Sequence, residues 1–217
     1  WATACTGSRP IDVEDYEAIG AAANALSMHA DEAYDALTGQ GAVVEKVFRA
    51  LTERVAEGTE VRRPMQFGQL CAVTGCDRTA VAQVVERYRQ GDTVFLLPAA
   101  AVPLAGNPVI DISHESLIRN WKRLKQWTDR EAQSAQMIRR LFDAAERYAT
   151  QTEGLLRDPA LQFALDWRER NQPTAAWAAL YGSQFERTMQ FLDDSRDARD
   201  RERLAARRAA RRRRWTV

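Results

Sequence analysis

Apolar residues recur at helical spacing along much of the chain and set the order of its predicted elements. A stretch that carries Tyr16 predicts a short helix that stops at Gly20, and the alanine-rich residues 21–37 predict the next helix. The apolar positions within 43–55 predict an amphipathic helix that ends at Gly58. We therefore expect the first part of the chain to consist of helices separated by glycines.

The following segment combines short helices with β-type runs. Residues 67–75 predict a brief helix. Asp77 is a good N-cap for the next helix, and Gly91 is its stop signal. Two β-type runs, 93–97 and 109–112, flank a loop rich in Pro, Ala and Gly. This order of helices followed by a strand–loop–strand hairpin is typical of a winged-helix domain, with the loop as the wing.

From Ser113 onward the pattern is helical. We expect Ser113 to cap a helix that continues past residue 121, and Asp158 to cap another that begins at Pro159. If residues 183–214 are helical throughout, they form a last helix roughly 48 Å long at about 1.5 Å per residue. Its distal half lacks an apolar face to bury, so we expect that half to fray. The predicted fold class is mainly α: a winged-helix domain with a small β-hairpin wing, followed by a helical bundle or arm.

Charge is distributed unevenly along the chain. Its 31 Lys and Arg against 30 Asp and Glu give a net charge of +1. Residues 196–214 contain ten arginines and three acidic residues and so carry +7, which leaves −6 for the remainder. The sequence thus predicts a mildly acidic body and a basic tail that includes Arg211, Arg212, Arg213 and Arg214.

Few residues offer catalytic or metal-binding chemistry. The chain contains no Gly-x4-Gly-Lys-Ser/Thr run, the loop that holds phosphates in P-loop ATPases. His114 and Glu115 begin a zinc-protease pattern, but Ile118 stands where its second histidine belongs. The three cysteines lack companions at zinc-site spacing and predict reduced thiols in a cytoplasmic protein. We expect no metal site and no enzyme activity in this chain.

His114 lies where the second predicted strand of the wing gives way to a helix. Its position favours a structural or capping role at the helix start. A contact to a phosphate group is the alternative, because helix N-termini attract anions.

One string of residues resembles a family signature. It reads Ile-Ser-His-Glu-Ser-Leu-Ile-Arg-Asn-Trp-Lys-Arg-Leu-Lys-Gln-Trp over 112–127. This string resembles the one that follows the ATPase module in the novel STAND NTPase group of bacterial signalling ATPases. The resemblance continues through 154–159 and 165–167 towards the arginine-rich stretch, and residues 11–16 resemble the exit from the ATPase domain.

The resemblance implies a division of the chain into four parts. Residues 1–20 would leave a preceding ATPase domain that is absent from these residues, and 21–113 would form the winged helix. Residues 114–182 would form a helical domain, and 183–217 a long charged helix with a basic linker. The chain begins at Trp1 and ends just after the arginines, so we expect a segment of a longer polypeptide.

Roles for individual residues also follow from the resemblance. In related proteins a winged-helix histidine contacts the nucleotide phosphates, so His114, and more weakly Arg119, are the expected phosphate-sensing residues of the intact protein. The other signature positions are expected to be structural: Glu115, Leu117, Trp121, Leu124 and Trp127.

The implied function is regulatory coupling. The segment would pack on the ATPase domain, which binds ATP or ADP, and would relay to it the state of a C-terminal sensor or membrane segment. It would hold no cofactor of its own, and assembly into a homo-oligomer on activation is one option. We expect a cytoplasmic location, with a membrane tether after Val217 as an alternative.

The alternative function is a DNA-binding winged helix of a transcription regulator. Its reading helix would offer Arg78, Arg87 and Arg89, but Asp77 and Glu86 lie among them. Because the net charge is also near zero, we expect no specific nucleic-acid partner.

Overall fold

The computed structural model describes residues 13–55, 58–90 and 94–214. These residues are mainly helical with small antiparallel sheets, as the sequence predicts. Predicted features within 1–12, and the start of the run 93–97, lie outside the described residues. In chain order the elements are α1 (Val13–Asp35), α2 (Gly41–Ala50), β1 (Thr52–Arg54), β2 (Glu60–Arg62), β3 (Met65–Gln66), α3 (Phe67–Thr74), α4 (Arg78–Arg89), β4 (Leu96–Leu97), β5 (Val109–Ile112), α5 (Glu115–Asn120), α6 (Lys122–Ala149), α7 (Ala160–Asn171), α8 (Ala175–Ala178) and α9 (Phe185–Arg214).

The chain divides into two compact units. The first unit comprises residues 1–67 and 77–128, and the second comprises 68–76 and 129–217. The first unit therefore holds the strands, and the second holds most of α3 together with the C-terminal helices.

A three-stranded antiparallel sheet in the first unit has the order β3–β5–β4. The predicted hairpin is confirmed, because Leu96 of β4 lies opposite Ile112 of β5. Strand β3, which the sequence did not predict, adds to the other edge of β5 with Met65 opposite Ile110. These four side chains are buried, so one face of the sheet belongs to the core of this unit.

Aromatic rings fill the rest of that core. The ring centroid of Phe48 on α2 lies 4.8 Å from that of Tyr88 on α4 and 5.0 Å from that of Trp121, both in edge-to-face geometry. The hydroxyl of Tyr88 donates to the backbone carbonyl of Ala30 on α1, at 3.3 Å. Helices α1, α2 and α4 are thus fixed around one aromatic centre.

The predicted helix over 43–55 ends earlier than expected. Helix α2 stops at Ala50, and the next residues form β1, which pairs with β2 so that Thr52 lies opposite Arg62. The Thr52 hydroxyl donates to the carbonyl of Phe48, at 3.0 Å, and so satisfies one of the last helical acceptors. Helical spacing misled the prediction here because a β-branched residue such as Thr52 also suits a strand.

Three other predicted helix boundaries were wrong. Helix α1 runs through Gly20 without a stop, because a single glycine within an alanine-rich stretch costs only about 1 kcal/mol. The helix predicted to continue past residue 121 breaks at Trp121, whose backbone is extended between α5 and α6. Helix α7 begins one residue later than predicted, with Pro159 rather than Asp158 at the N-cap.

Apolar residues of α6, α7, α8 and α9 form the core of the second unit. Phe191 on α9 packs against Ala144 and Ala145 of α6. The buried carboxylate of Glu131 on α6 accepts from Trp177 Nε1 at 2.7 Å and from the Tyr181 hydroxyl at 2.6 Å. Because a buried carboxylate requires such donors, this cluster fixes α8 against α6.

Candidate functional site

His114 is the second of the two residues in the step between strand β5 and helix α5 and directly precedes the helix. Its backbone is extended and stands at the N-cap position, but its side chain makes no capping hydrogen bond. The predicted cap by Ser113 is wrong, because its hydroxyl donates to the carbonyl of Val94, at 2.6 Å, and its amide donates to Phe95. Ser113 thus prolongs the pairing between β4 and β5, and this pairing fixes where the His114 backbone begins to turn.

The polar signature residues lie together on the surface of this step. His114, Glu115 and Arg119 are all exposed. Arg119 Nη2 lies 3.5 Å from Glu115 Oε2, one turn apart on α5, and both side chains are more than half exposed. Among the residues that the structure describes, the His114 ring has no hydrogen-bonding partner. The imidazole can therefore contact another molecule or domain without first losing a hydrogen bond to the part of the chain that the structure describes.

The apolar signature residues lie inside the first unit, as the packing interpretation predicts. Leu117, Trp121, Leu124 and Trp127 are all buried, and Trp121 is fully enclosed. The ring centroids of the two tryptophans lie 5.1 Å apart in edge-to-face geometry. This part of the signature string holds α5 and the start of α6 in the core and leaves the polar residues facing outward.

Asp31 on α1 completes the site from a distant part of the sequence. Its Oδ1 accepts from Trp121 Nε1 at 2.9 Å and from Arg123 Nε at 2.7 Å. The guanidinium of Arg123 also lies over the ring of Tyr34, 4.3 Å from its centroid. The carboxylate thus fixes the tryptophan at which α5 ends and joins α1 to the signature string.

Electrostatics in this region follow from those contacts. The hydrogen bond to Asp31 raises the pKa of the Arg123 guanidinium above its ordinary value. Burial raises the pKa of the Tyr88 hydroxyl, and the negative charge of Asp31 raises it further. Both shifts favour an arginine that stays charged and a tyrosine that stays neutral around the carboxylate of Asp31.

The basic tail belongs to the second unit. Arg211 and Arg212 lie exposed on the last turns of α9, and the side chains of Arg213 and Arg214 lie outside the described residues. In the described ranges, no three His, Cys, Asp or Glu side chains converge on a point that could hold a metal ion. Within those same ranges, no helix combines the length and apolar character needed to cross a bilayer.

A family model described as Novel STAND NTPase 1 matches residues 1–154 of the 217 in the chain. The chain belongs to this family. Neither a comparison with curated proteins nor one with solved structures gave a match. Membership of the novel STAND NTPase 1 family connects the chain with STAND NTPase-related signalling. The matched range contains the whole signature string and ends before α7.

Sequence reasoning missed Asp31, which the structure places against the signature string. The string itself led to His114, Glu115 and Arg119 because they lie within six residues of one another, and their roles stay predictions. Asp31 lies about 90 residues from its partners, and its one local signal is its place beside Ala30 on the apolar face of α1. An acidic residue next to a buried helix face can serve as the partner of a buried indole N–H.

Proposed function

We propose that the chain is a regulatory coupling segment of a novel STAND NTPase, built on a winged-helix domain, and that His114 contacts the nucleotide phosphates held by the NTPase domain. The observation that carries this proposal is the exposed His114–Glu115–Arg119 surface, set on a buried tryptophan frame.

Connectivity supports the winged-helix assignment. In that fold the first strand precedes two helices and then pairs with the last strand, which also pairs with the middle one. Here β3 precedes α3 and α4, and β5 lies between β3 and β4. The loop 98–108 takes the place of the wing.

The wing supports a protein partner rather than DNA. Residues 98–108 contain no charged side chain, so they offer no cation to a phosphate backbone. Leu97, Val102 and Val109 lie exposed in or beside this loop. Exposed apolar side chains in one region are typical of a surface that packs on another protein domain.

The helix that would read DNA also lacks the expected cations. Of its three arginines, Arg89 is buried and donates through Nη2 to the carbonyls of Ala99, at 3.2 Å, and Val102, at 2.6 Å. Arg78 lies over the ring of Phe67. With one arginine used to hold the wing, α4 is poorly equipped for base readout, which favours the coupling function over the DNA-binding alternative.

Measurement of nucleotide release from the intact protein tests the role of His114. We expect His114→Ala to release a fluorescent ADP analogue roughly tenfold faster, the effect of losing a hydrogen bond to a charged phosphate. Arg119→Ala should have a smaller effect, because Glu115 already pairs with that guanidinium. His29→Ala is the matched control, since it removes the other histidine of the chain, which is also exposed. Release from His114→Ala at the wild-type rate would overturn the assignment.

A second measurement concerns catalysis. Because the 217 residues contain no P-loop motif, we propose that they neither bind ATP tightly nor hydrolyse it alone. The purified chain should release no phosphate from ATP above the buffer rate, whereas the intact protein should. ATP hydrolysis by the purified chain would contradict this proposal if a single substitution in the chain abolished it, because that loss would exclude a contaminating ATPase.

A further inference from the structure

The last helix is anchored over only part of its length. Asp158, just before α7, accepts from Arg203 Nη2 at 2.7 Å and from Arg199 Nη1 at 3.4 Å. Arg199 Nη1 also donates to Gln162 Oε1 at 2.9 Å. Beyond Arg203 every described side chain of α9 is exposed. The distal part of the helix therefore extends from its anchor without a core to pack on.

The distal part of α9 contains no acidic residue that could balance its own positive charge. Residues 203–214 contain seven arginines and no acidic residue. Among the described residues, Arg207, Arg208 and Arg211 have no hydrogen-bonding or ion-pair partner. Cations at a helix C-terminus are stabilised by the helix dipole, but that effect fades within the last turn and does not reach Arg207.

The unpaired arginines share one face with an apolar residue. Leu204, Arg207, Arg208 and Arg211 follow the spacing i, i+3, i+4, i+7, which places them on one side of a helix. Leu204 is half exposed within that face. The intervening pairs of alanines lie towards the other side. The result is a cationic face with one apolar side chain among its guanidinium groups.

We propose that this face of α9, residues 204–212, binds the headgroups of an anionic lipid bilayer. Clusters of basic residues on a helix attract acidic lipids, at roughly a fivefold gain in affinity for each cation near the surface. Exposed Leu204 fits a bilayer better than a nucleic acid, because a side chain among headgroups can reach the acyl boundary. Arginine suits the phosphate groups, which its planar donors bind in pairs.

Cosedimentation with vesicles tests this proposal on the whole chain. The wild type should bind vesicles of phosphatidylcholine with phosphatidylserine at moderate salt, should bind vesicles of phosphatidylcholine alone far less, and should be released by high salt. The triple variant Arg207→Gln, Arg208→Gln, Arg211→Gln should bind roughly a hundredfold more weakly, and Leu204→Ser severalfold more weakly. These positions are exposed, so we expect the fold to be retained.

A triple variant of equal charge change provides the control. Arg140→Gln, Arg157→Gln, Arg170→Gln removes three exposed arginines from the same unit and should bind vesicles like the wild type. Equal losses in both triple variants would show that only net charge matters and would overturn the proposal. It would also be overturned if the wild type ignored the acidic vesicles, or if duplex DNA displaced it from them at equimolar phosphate.

Discussion

Removal of the Asp31 carboxylate tests how strongly α1 is held to the signature string. Two variants separate its two hydrogen bonds. Asp31→Asn keeps an oxygen that can accept from the Trp121 indole and removes the charge that Arg123 contacts. Asp31→Ala removes both hydrogen bonds at once, and the indole N–H of Trp121 then loses its acceptor.

The magnitudes follow from the exposure of each partner. The side chains of Arg123 and Asp31 are 43% and 35% exposed, so loss of this ion pair alone costs at most about 1 kcal/mol. Trp121 is fully buried, and an indole N–H without an acceptor adds about 1–3 kcal/mol. Alanine recovers about 0.5 kcal/mol through its better helix propensity. We therefore expect a loss of about 2 kcal/mol for Asp31→Ala and less than about 1 kcal/mol for Asp31→Asn.

Urea unfolding followed by far-ultraviolet circular dichroism measures both losses. Arg123→Gln provides the comparison, because it removes the same ion pair together with the contact to the Tyr34 ring. It should therefore cost slightly more stability than Asp31→Asn, and the loss in the double variant should be smaller than the sum of the two single losses. Higher salt should reduce the effect of Asp31→Asn and leave the extra loss in Asp31→Ala unchanged. Equal losses for the alanine and asparagine variants would refute the reasoning, because the buried indole bond would then contribute nothing.

Three further predictions concern single positions. Hydrogen bonds from the backbone amides of the first turn of α4 hold the pKa of Asp77 below its ordinary value. The ionised carboxylate therefore stabilises the fold above about pH 4, and this stabilisation is lost as the pH falls through the folded pKa. In Asp77→Asn the free energy of unfolding should fall less steeply as the pH is lowered. Gly75 has a φ of +62°, and an added Cβ would lie 2.6 Å from Thr174 Cγ2. Gly75→Ala should therefore lower the free energy of unfolding by more than the roughly 1–2 kcal/mol expected from backbone strain alone. Gly39 has a φ of +78° and open space around an added Cβ, so the loss of stability in Gly39→Ala measures the backbone strain alone. Thermal denaturation of both variants gives the comparison. Burial raises the pKa of Tyr88, so its neutral form stabilises the fold below about pH 10 and this stabilisation is lost at higher pH. In Tyr88→Phe the free energy of unfolding should therefore fall less steeply as the pH rises above about 10.

The parts of the fold that the sequence predicted depend on local signals. The N-cap of α4 at Asp77 is confirmed, because its carboxylate accepts from the amides of Thr79 and Ala80. The predicted last helix is one continuous helix from Phe185 to Arg214, including the distal half that we expected to fray. Both follow from neighbouring residues, for which capping and spacing rules apply directly.

The parts that the sequence missed depend on distant residues. Strand β1 forms because β2 is available to pair with it, and helical spacing alone cannot reveal that partner. The break at Trp121 is fixed by Asp31 on α1, about 90 residues away. At the candidate site, the positions of His114 and Arg119 could be predicted, whereas the carboxylate that holds their frame could not. Non-local partners decide strand pairing and buried hydrogen bonds, and a single sequence does not name them.

The hydrogen bonds from Arg89 to loop 98–108 have a consequence for how readily a protease can cut that loop. An exposed loop of small, uncharged residues is normally among the first places that a protease cuts, because cleavage needs the backbone drawn out into the enzyme. Here the carbonyls of Ala99 and Val102 are bound to a guanidinium that is itself buried. Drawing out the loop would remove both carbonyl acceptors of Arg89 Nη2 inside the core and leave Glu86, 3.7 Å from Nε, as its ion-pair partner. The loop alone would not impose that cost. We therefore expect cleavage in loop 98–108 to require local opening around helix α4 as well as flexibility of the loop itself.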